Sequence, residues 1–176
     1  YIDTVIGNNG DLAKLVLLRD QGLIKNLAVE NIYDFEKIKE LQGLYGINTL
    51  QIQPNIKYHE LIKKCNEIGI KVQLYAISSS IKKYSIDEYE SGNFDILEKP
   101  EIIYVINNIL RYYMEKYIKT GNVIIIESKD IPDIVEDITL YNKIINGEKL
   151  TNIERIESLL TDVGDNLPVM ESGNIY

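Results

Sequence analysis

The chain has 176 residues, 45% of them hydrophobic, which is enough apolar material for one compact domain with a core. Acidic residues outnumber basic ones by 27 to 19, so the formal net charge is -8 and the isoelectric point is about 4.8. Phosphate backbones and anionic membrane surfaces repel a molecule of this charge. We therefore expect neither a nucleic-acid nor a membrane partner.

The single cysteine, Cys65, lies on the predicted buried stripe of a helix and has no second thiol to pair with. This predicts a core residue and indicates a reducing, cytoplasmic compartment. No run is apolar and long enough to span a bilayer, and no charged-then-apolar leader opens the chain, so we expect it to be soluble. Because Tyr1 already lies in a strand-like segment, we expect the chain to be the end of something longer.

Short apolar runs alternate with amphipathic segments, which predicts repeated strand and helix units. The predicted strands are Tyr1–Ile6, Ile24–Val29, Thr49–Gln53, Lys71–Tyr75 and Val123–Ile126. The predicted helices are Asp11–Gln21, a helix capped by Asp34, Tyr58–Ile68, Glu101–Thr120 and Thr151–Leu160, the last with Thr151 and Glu154 spaced as a capping box. The polar interval Ser78–Pro100 is predicted to be a loop.

The spacing of the strands predicts a parallel sheet. Strands beginning near residues 2, 24, 49 and 71 recur at intervals of 22, 25 and 22 residues, which is typical of alternating strands and helices. We predict an α/β fold of the parallel (β/α) TIM-barrel type. The competing doubly wound sheet lacks its G-x-G-x-x-G loop here. A closed barrel needs eight units, so either upstream sequence is missing or a partner completes the sheet.

Five segments resemble the aldo-keto reductase family. Gly22–Ile32 (GLIKNLAVENI) resembles G-K-I-R-x-I-G-V-S-N-F, and Cys65–Ala76 (CNEIGIKVQLYA) resembles C-K-x-x-G-I-x-V-x-A-Y-S. Leu50–Pro54, Gly121–Asp137 and Leu150–Leu159 resemble later motifs of the family in the right order. The resemblance implies strands four to eight of such a barrel, with residues 1–160 as the barrel portion and 161–176 as a C-terminal tail.

The resemblance implies reduction of a carbonyl by hydride from a nicotinamide, with a tyrosine as the acid and an aspartate, a lysine and a histidine that tune it. The first three belong to strands upstream of Tyr1, and the histidine position falls on Asn8. Asparagine can donate a hydrogen bond but cannot exchange protons with the acid. We therefore expect no catalytic residue here, and Gly7–Gly10 can equally form a turn. The only histidine, His59, is predicted to lie on the surface.

The cofactor positions give a mixed result. Asn31 and Gln51 match the residues that hold the carboxamide, and Tyr75 matches the aromatic ring that stacks on the nicotinamide. The alternative for Gln51 and Tyr75 is ordinary packing and hydrogen bonding at the top of the barrel. The family's serine before Asn31 is Glu30 here, and desolvating its carboxylate would be costly unless it is paired.

At the positions that match the adenine end of the family's cofactor site, the charges are opposite to those of the family. The family's Lys-Ser pair for the 2′-phosphate is Glu127-Ser128, and its arginine position is Asp133. Lys129 could substitute if the register slips by one residue. Glu136 matches the acid that faces the adenine, and an acid near the ribose leaves NAD open. The alternative is a solvated acidic face.

We predict a catalytically degenerate protein that acts as a regulatory or structural subunit, with no bound cofactor or metal and with a protein partner or a missing N-terminal half. Leu110–Tyr112 is similar to the late helix of the modifier subunit of glutamate-cysteine ligase, a non-catalytic use of this fold. The alternative is a divergent NAD(P)H-dependent oxidoreductase whose first half lies outside this chain. A third class, the parallel-barrel phosphodiesterases, would require paired carboxylates and histidines for metal, which are absent from this sequence.

Overall fold

The computed structural model describes residues 2–7, 10–126, 130–149 and 152–168. Within these ranges the chain is an α/β protein in which strands and helices alternate. The strands are β1 (Ile2–Ile6), β2 (Ile24–Glu30), β3 (Thr49–Ile52), β4 (Lys71–Leu74) and β5 (Val123–Ile124). The helices are α1 (Leu12–Asp20), α2 (Phe35–Tyr45), α3 (His59–Glu67), α4 (Ile77–Glu90), α5 (Pro100–Tyr117), α6 (Ile131–Ile145) and α7 (Ile153–Gly164).

The chain divides into two compact units. The first comprises Tyr1–Ile52 and Tyr58–Leu74, and the second comprises Gln53–Lys57 and Tyr75–Tyr176. The short segment 53–57 belongs to the second unit because its side chains bond to the end of α7. The Asn55 side-chain amide donates to the Gly164 carbonyl at 2.6 Å, and the Gln53 amide donates to the Pro168 carbonyl at 2.7 Å.

In the first unit, β1 to β4 form a parallel ladder in chain order. Ala28 pairs with Thr49, and Thr49 pairs in turn with Lys71. Parallel neighbours need a crossover long enough to hold a helix, and α1, α2 and α3 supply the three crossovers. The predicted parallel cadence is therefore confirmed for these four strands.

The two faces of this ladder differ in polarity. Because side chains alternate along a strand, the register places one set of buried aliphatic residues on the same face. This set is Leu27, Val29, Leu50, Ile52, Val72 and Leu74. Helices α1 and α3 contact β2 and β4, and they bury Leu12, Ile62 and Cys65. The other face carries polar residues, among them Asn26, Gln51 and Gln73.

Both ends of α2 are capped, and the cap at its N-terminus is the Asp34 that the sequence predicts. The Asp34 carboxylate accepts hydrogen bonds from the backbone N–H groups of Glu36, at 2.9 Å, and Lys37, at 3.3 Å. Gly46 ends the helix with φ of 65°, a left-handed conformation that favours glycine. The Arg19 guanidinium donates to the Tyr45 carbonyl at 2.7 Å and so satisfies a carbonyl in the last turn.

The predicted loop at Ser78–Pro100 is wrong, because α4 occupies most of it. Ile77 and Ile81 are buried one turn apart, and the buried hydroxyl of Ser85 donates back to the Ile81 carbonyl at 2.8 Å. Serine in a helix can satisfy its hydroxyl in this way, which lets a polar residue lie on the buried face. The serine cluster therefore concealed the helical spacing of the isoleucines.

Helix α6 was not predicted, and α7 is displaced from its predicted range. The resemblance of Gly121–Asp137 to one family motif predicts no helix start in this segment. In the structure Asp130 caps α6 and Pro132 lies in its first turn. Helix α7 begins at Ile153 and ends at Gly164, whereas Thr151–Leu160 was predicted. Thr151 lies outside the described residues. Among the helices in the described ranges, none is both long and apolar enough to cross a membrane.

Replacement of the α2 cap tests this part of the fold. Asp34→Ala is expected to lower the free energy of unfolding by about 0.5–2 kcal/mol, because two backbone N–H groups lose their acceptor. Asp34→Asn is the matched control, since an asparagine side chain caps about as well, and it should retain most of the stability. Urea unfolding followed by circular dichroism measures both. An equal loss for both variants would contradict the capping role.

Candidate functional site

The candidate site in the first unit lies at the carboxyl ends of β2 and β3. Glu30, Gln51 and Gln73 are aligned in one row across three strands, on the polar face of the ladder. Gln51 is buried, whereas Glu30 and Gln73 are half-buried. The row places a carboxylate beside two amides, which can donate and accept hydrogen bonds at the strand ends.

The structure brings Asn31 and Gln51 together. Asn31 follows the last residue of β2, and its backbone N–H donates to the Gln51 carbonyl at 2.9 Å. Its φ is 53°, a left-handed conformation that asparagine tolerates better than most residues. The chain therefore turns sharply at Asn31, which explains why β2 ends there.

An aromatic pair that sequence reasoning missed lies next to Asn31. The Tyr33 hydroxyl donates to Asn31 Oδ1 at 3.2 Å, and the Tyr33 ring stacks on the Tyr58 ring with centroids 4.3 Å apart. The only signal for Tyr33 was its position just after a strand, and nothing in the local sequence pointed to Tyr58. Their 25-residue separation hides the pairing until the first unit is folded.

Tyr75 is the predicted nicotinamide-stacking residue, and its ring is 1% exposed. It follows β4 directly and belongs to the second unit, whereas Asn31 and Gln51 belong to the first. Burial of this kind is expected for ordinary packing. The stacking role stays a prediction.

The predicted adenine-end residues fall partly outside the described ranges. Asn8, Glu127, Ser128 and Lys129 lie there. Asp133 and Glu136 are exposed and lie one turn apart on α6.

The N-terminus of α6 is capped by a residue of its own segment. The Asp130 side chain accepts a hydrogen bond from the Asp133 backbone N–H at 3.0 Å. Pro132 occupies the first turn and has no N–H to donate. A helix N-terminus binds anions through free N–H groups, so this carboxylate already takes the place that a phosphate would need.

A shallow cleft of about 270 Å³ lies beside α6 in the second unit. Its lining residues are Arg111, Val135, Glu136, Thr139, Leu140 and Lys143. The Arg111 guanidinium already bonds to Glu115 at 2.9 Å and to Glu148 at 3.1 Å. Two carboxylates thus neutralise this cation, and the other charged residues of the lining, Lys143 and Glu136, carry opposite charges, so the cleft has little net positive charge to offer a phosphate.

The second unit contains a tyrosine, lysine and glutamate cluster that the sequence did not predict. The Tyr112 hydroxyl donates to Glu157 Oε1 at 2.7 Å. Lys116 Nζ lies 3.0 Å from that hydroxyl and 2.8 Å from the same carboxylate oxygen. The cluster joins α5 to α7.

The chemistry of this cluster is structural. Burial and the hydrogen bond to Glu157 raise the pKa of Tyr112 above its ordinary value, so the phenol holds its proton. A general acid needs a pKa near the working pH. Burial also raises the pKa values of Tyr113 and Tyr117. Since all three side chains are buried, α5 packs against its neighbours at these residues.

The remaining reactive side chains also have structural surroundings. Cys65 is fully buried, as predicted, and burial raises the pKa of its thiol to about 11. His59 is half-buried and begins α3, so it is less exposed than a surface residue was expected to be. The described residues contain no group of His, Cys, Asp or Glu side chains placed to hold a metal ion.

Comparison of the chain with models of known protein families and with curated proteins finds no match. The assignment of a function therefore depends on the geometry of the described residues.

The buried tyrosines predict a loss of stability at alkaline pH. Their pKa values lie above the ordinary 10.0 in the folded chain, so the unfolded chain releases its protons first as the pH rises. Their contribution is fully present below pH 10 and decreases above it. We expect the free energy of unfolding to fall above about pH 10, and less steeply in Tyr113→Phe and Tyr112→Phe.

The two tyrosine variants differ at neutral pH. Tyr112→Phe also removes the hydrogen bond to Glu157, which should lower the free energy of unfolding by about 1–3 kcal/mol because the acceptor is charged. Urea unfolding from pH 7 to 11 measures both effects, the range being set about the tyrosine pKa. An alkaline slope that neither variant changes would contradict the role of these tyrosines.

Proposed function

We propose that this chain is a catalytically degenerate, aldo-keto-reductase-like α/β protein that acts through its surfaces as a regulatory or structural subunit. The observation that carries the proposal is the first turn of α6, where the Asp130 carboxylate caps the helix. This is the segment in which the resemblance expects the 2′-phosphate of NADPH.

The charges around this turn support the proposal. Asp130, Asp133, Glu136 and Asp137 lie within eight residues, and the same stretch contains no lysine or arginine. Phosphate groups are bound by arginine, lysine and free N–H groups, whereas carboxylates at these positions repel them. A chain that does not bind NADPH cannot take a hydride from it, which favours a role in contact with another protein.

The edge of the first unit supports a partner as well. Among the strands described in this unit, β1 pairs with β2 on one side only, and its Ile2 and Ile6 side chains are exposed. An unpaired strand edge offers N–H and C=O groups to another strand. A missing N-terminal half or a separate subunit could pair there.

One arrangement favours the alternative function, a divergent NAD(P)H-dependent oxidoreductase. Asn31 and Gln51 are linked at neighbouring strand ends, and the stacked Tyr33 and Tyr58 rings lie beside them. Two amides and an aromatic surface suit a planar carboxamide. This alternative requires catalytic residues from a polypeptide outside the present sequence.

Nucleotide binding distinguishes the two functions. We expect titration calorimetry of the unaltered protein with NADPH to show no saturable binding. The double change Glu127→Lys with Asp133→Arg should bring back measurable affinity if Asn31, Gln51 and Tyr75 still hold the nicotinamide, because two repulsive contacts become attractive. Each such contact is worth only about 1 kcal/mol in high dielectric, but their reversal together amounts to several.

The matched control makes the same charge change elsewhere. Glu67→Lys with Asp162→Arg alters two exposed acids on α3 and α7 and should leave NADPH unbound. Tight binding of NADPH or NADH to the unaltered protein would overturn the proposal and favour the oxidoreductase.

The chain alone should not reduce simple aldehydes. Without a histidine at position 8 and without the family's tyrosine acid in this sequence, proton transfer to the carbonyl loses general acid catalysis, worth roughly 10² to 10⁴ in rate. Oxidation of NADPH followed at steady state should stay at the buffer rate. A rate above this that Tyr75→Ala abolishes would show that the chain is an enzyme.

A further inference from the structure

Helix α6 exposes a continuous apolar stripe. Six large apolar side chains of this helix are solvent-exposed, and only Ile144 is buried. The stripe consists of Ile131, Ile134, Val135, Ile138, Tyr141 and Ile145. Ile131 is 75% exposed and Ile138 is 54% exposed. Among the described helices, no other shows so many exposed apolar residues for so few buried ones.

The spacing of the stripe is that of a helix-pairing surface. Ile131, Ile134, Ile138, Tyr141 and Ile145 follow one another at intervals of three, four, three and four residues. This is the a and d pattern of a heptad repeat, in which the apolar seam of one helix receives the side chains of another. A stripe of this kind fits an amphipathic helix laid along it.

The charge around the stripe selects the partner. With Ile131 and Ile138 at a positions, Asp137 falls at a position that flanks the seam, and Lys143 is the only cation on α6. The whole chain carries a net charge of -8. A helix with lysine or arginine flanking its apolar seam would be attracted to this surface, and one with acidic flanks would be repelled.

We propose that the α6 stripe is the docking site for a basic amphipathic helix of a partner protein. This deepens the proposed regulatory or structural role, on which it rests, by naming the surface and the kind of partner. Apolar contact along the stripe supplies the affinity, and the acidic residues supply the preference for a basic helix.

Other occupants fit the charges less well. An antiparallel second copy centred on Ile138 would bring the two Asp137 residues to the same flank, and a parallel copy would place the acidic halves side by side. Both arrangements join two chains of net charge -8. Anionic membranes, which attract basic amphipathic helices, repel an acidic one.

Two synthetic helical peptides test the proposal with the full chain. Both have three heptads with isoleucine and leucine at a and d, one with lysine and the other with glutamate at the flanking positions. We expect saturable binding of the lysine peptide by fluorescence anisotropy and at least tenfold weaker binding of the glutamate peptide. Failure of the lysine peptide to bind would overturn the docking site while leaving the nucleotide test unaffected.

Substitution at the centre of the stripe separates docking from simple charge attraction. Ile138→Glu removes an apolar contact but adds a negative charge, so docking predicts at least tenfold weaker binding and non-specific attraction predicts tighter binding. Ile138→Gln removes the contact without adding charge and should also weaken it. Leu17→Glu, at a side chain 63% exposed on α1, is the control and should bind like the unaltered protein.

Three further measurements test the charge preference and the identity of the occupant. Weaker binding of the lysine peptide to Asp137→Asn supports the charge preference, and unchanged binding contradicts it. Sedimentation that shows a dimer which Ile138→Glu abolishes would assign the stripe to a second copy. Co-sedimentation with phosphatidylserine vesicles that Ile138→Glu abolishes would assign it to a lipid surface. Either assignment would overturn the proposal.

Discussion

The parallel register of β1 to β4 is the constraint on which the first unit depends. Each pairing aligns residues of neighbouring strands, so the register places the side chains of Leu27, Leu50 and Val72 on the same face of the sheet. A slip of one residue would move this aliphatic set to the opposite face. The crossovers that parallel strands require then supply the helices that cover it. The core and the connections are thus two consequences of one hydrogen-bond pattern.

The same register determines what the other face can do. Residues that alternate with the aliphatic set are polar at the carboxyl ends, which is why Glu30, Gln51 and Gln73 form a row. Barrel interiors are usually filled with branched apolar side chains. A polar row is better suited to hydrogen bonding than to packing. The left-handed turn at Asn31 then adds an amide and brings Tyr33 towards the end of the row.

Local patterns in the sequence predicted those parts of the fold whose signals are local. The four parallel strands, the Asp34 cap and the buried Cys65 all follow from neighbouring residues and their periodicity. Helix α4 was missed because Ser80 and Ser85 lie on its buried face, where serine is uncommon. Helix α6 was missed although its apolar residues recur at helical spacing, because the segment through Asp137 was interpreted from the family resemblance alone.

The candidate site was only partly predictable for a related reason. The family resemblance names Asn31 and Gln51 as carboxamide-binding positions, whereas strand periodicity alone does not single them out. The Tyr112 and Glu157 contact joins residues 45 apart on different helices, and the Tyr33 and Tyr58 stack joins residues 25 apart. No local pattern encodes such pairs, since they arise only when packing brings the elements together. Sequence reasoning can name candidate side chains here but not their partners.

The stability of helix α6 depends on how much of its apolar surface is covered. Helices in proteins are stabilised mainly by burial of an apolar face, yet α6 buries only Ile144. Its Asp130 cap contributes about 0.5–2 kcal/mol, whereas each large aliphatic side chain that becomes fully buried contributes about 1.5–3 kcal/mol. Covering even half of the exposed stripe would therefore stabilise the helix more than its own caps do. The stability of α6 and the covering of its stripe are therefore coupled, because the side chains that the helix leaves exposed are the ones whose burial would stabilise it most.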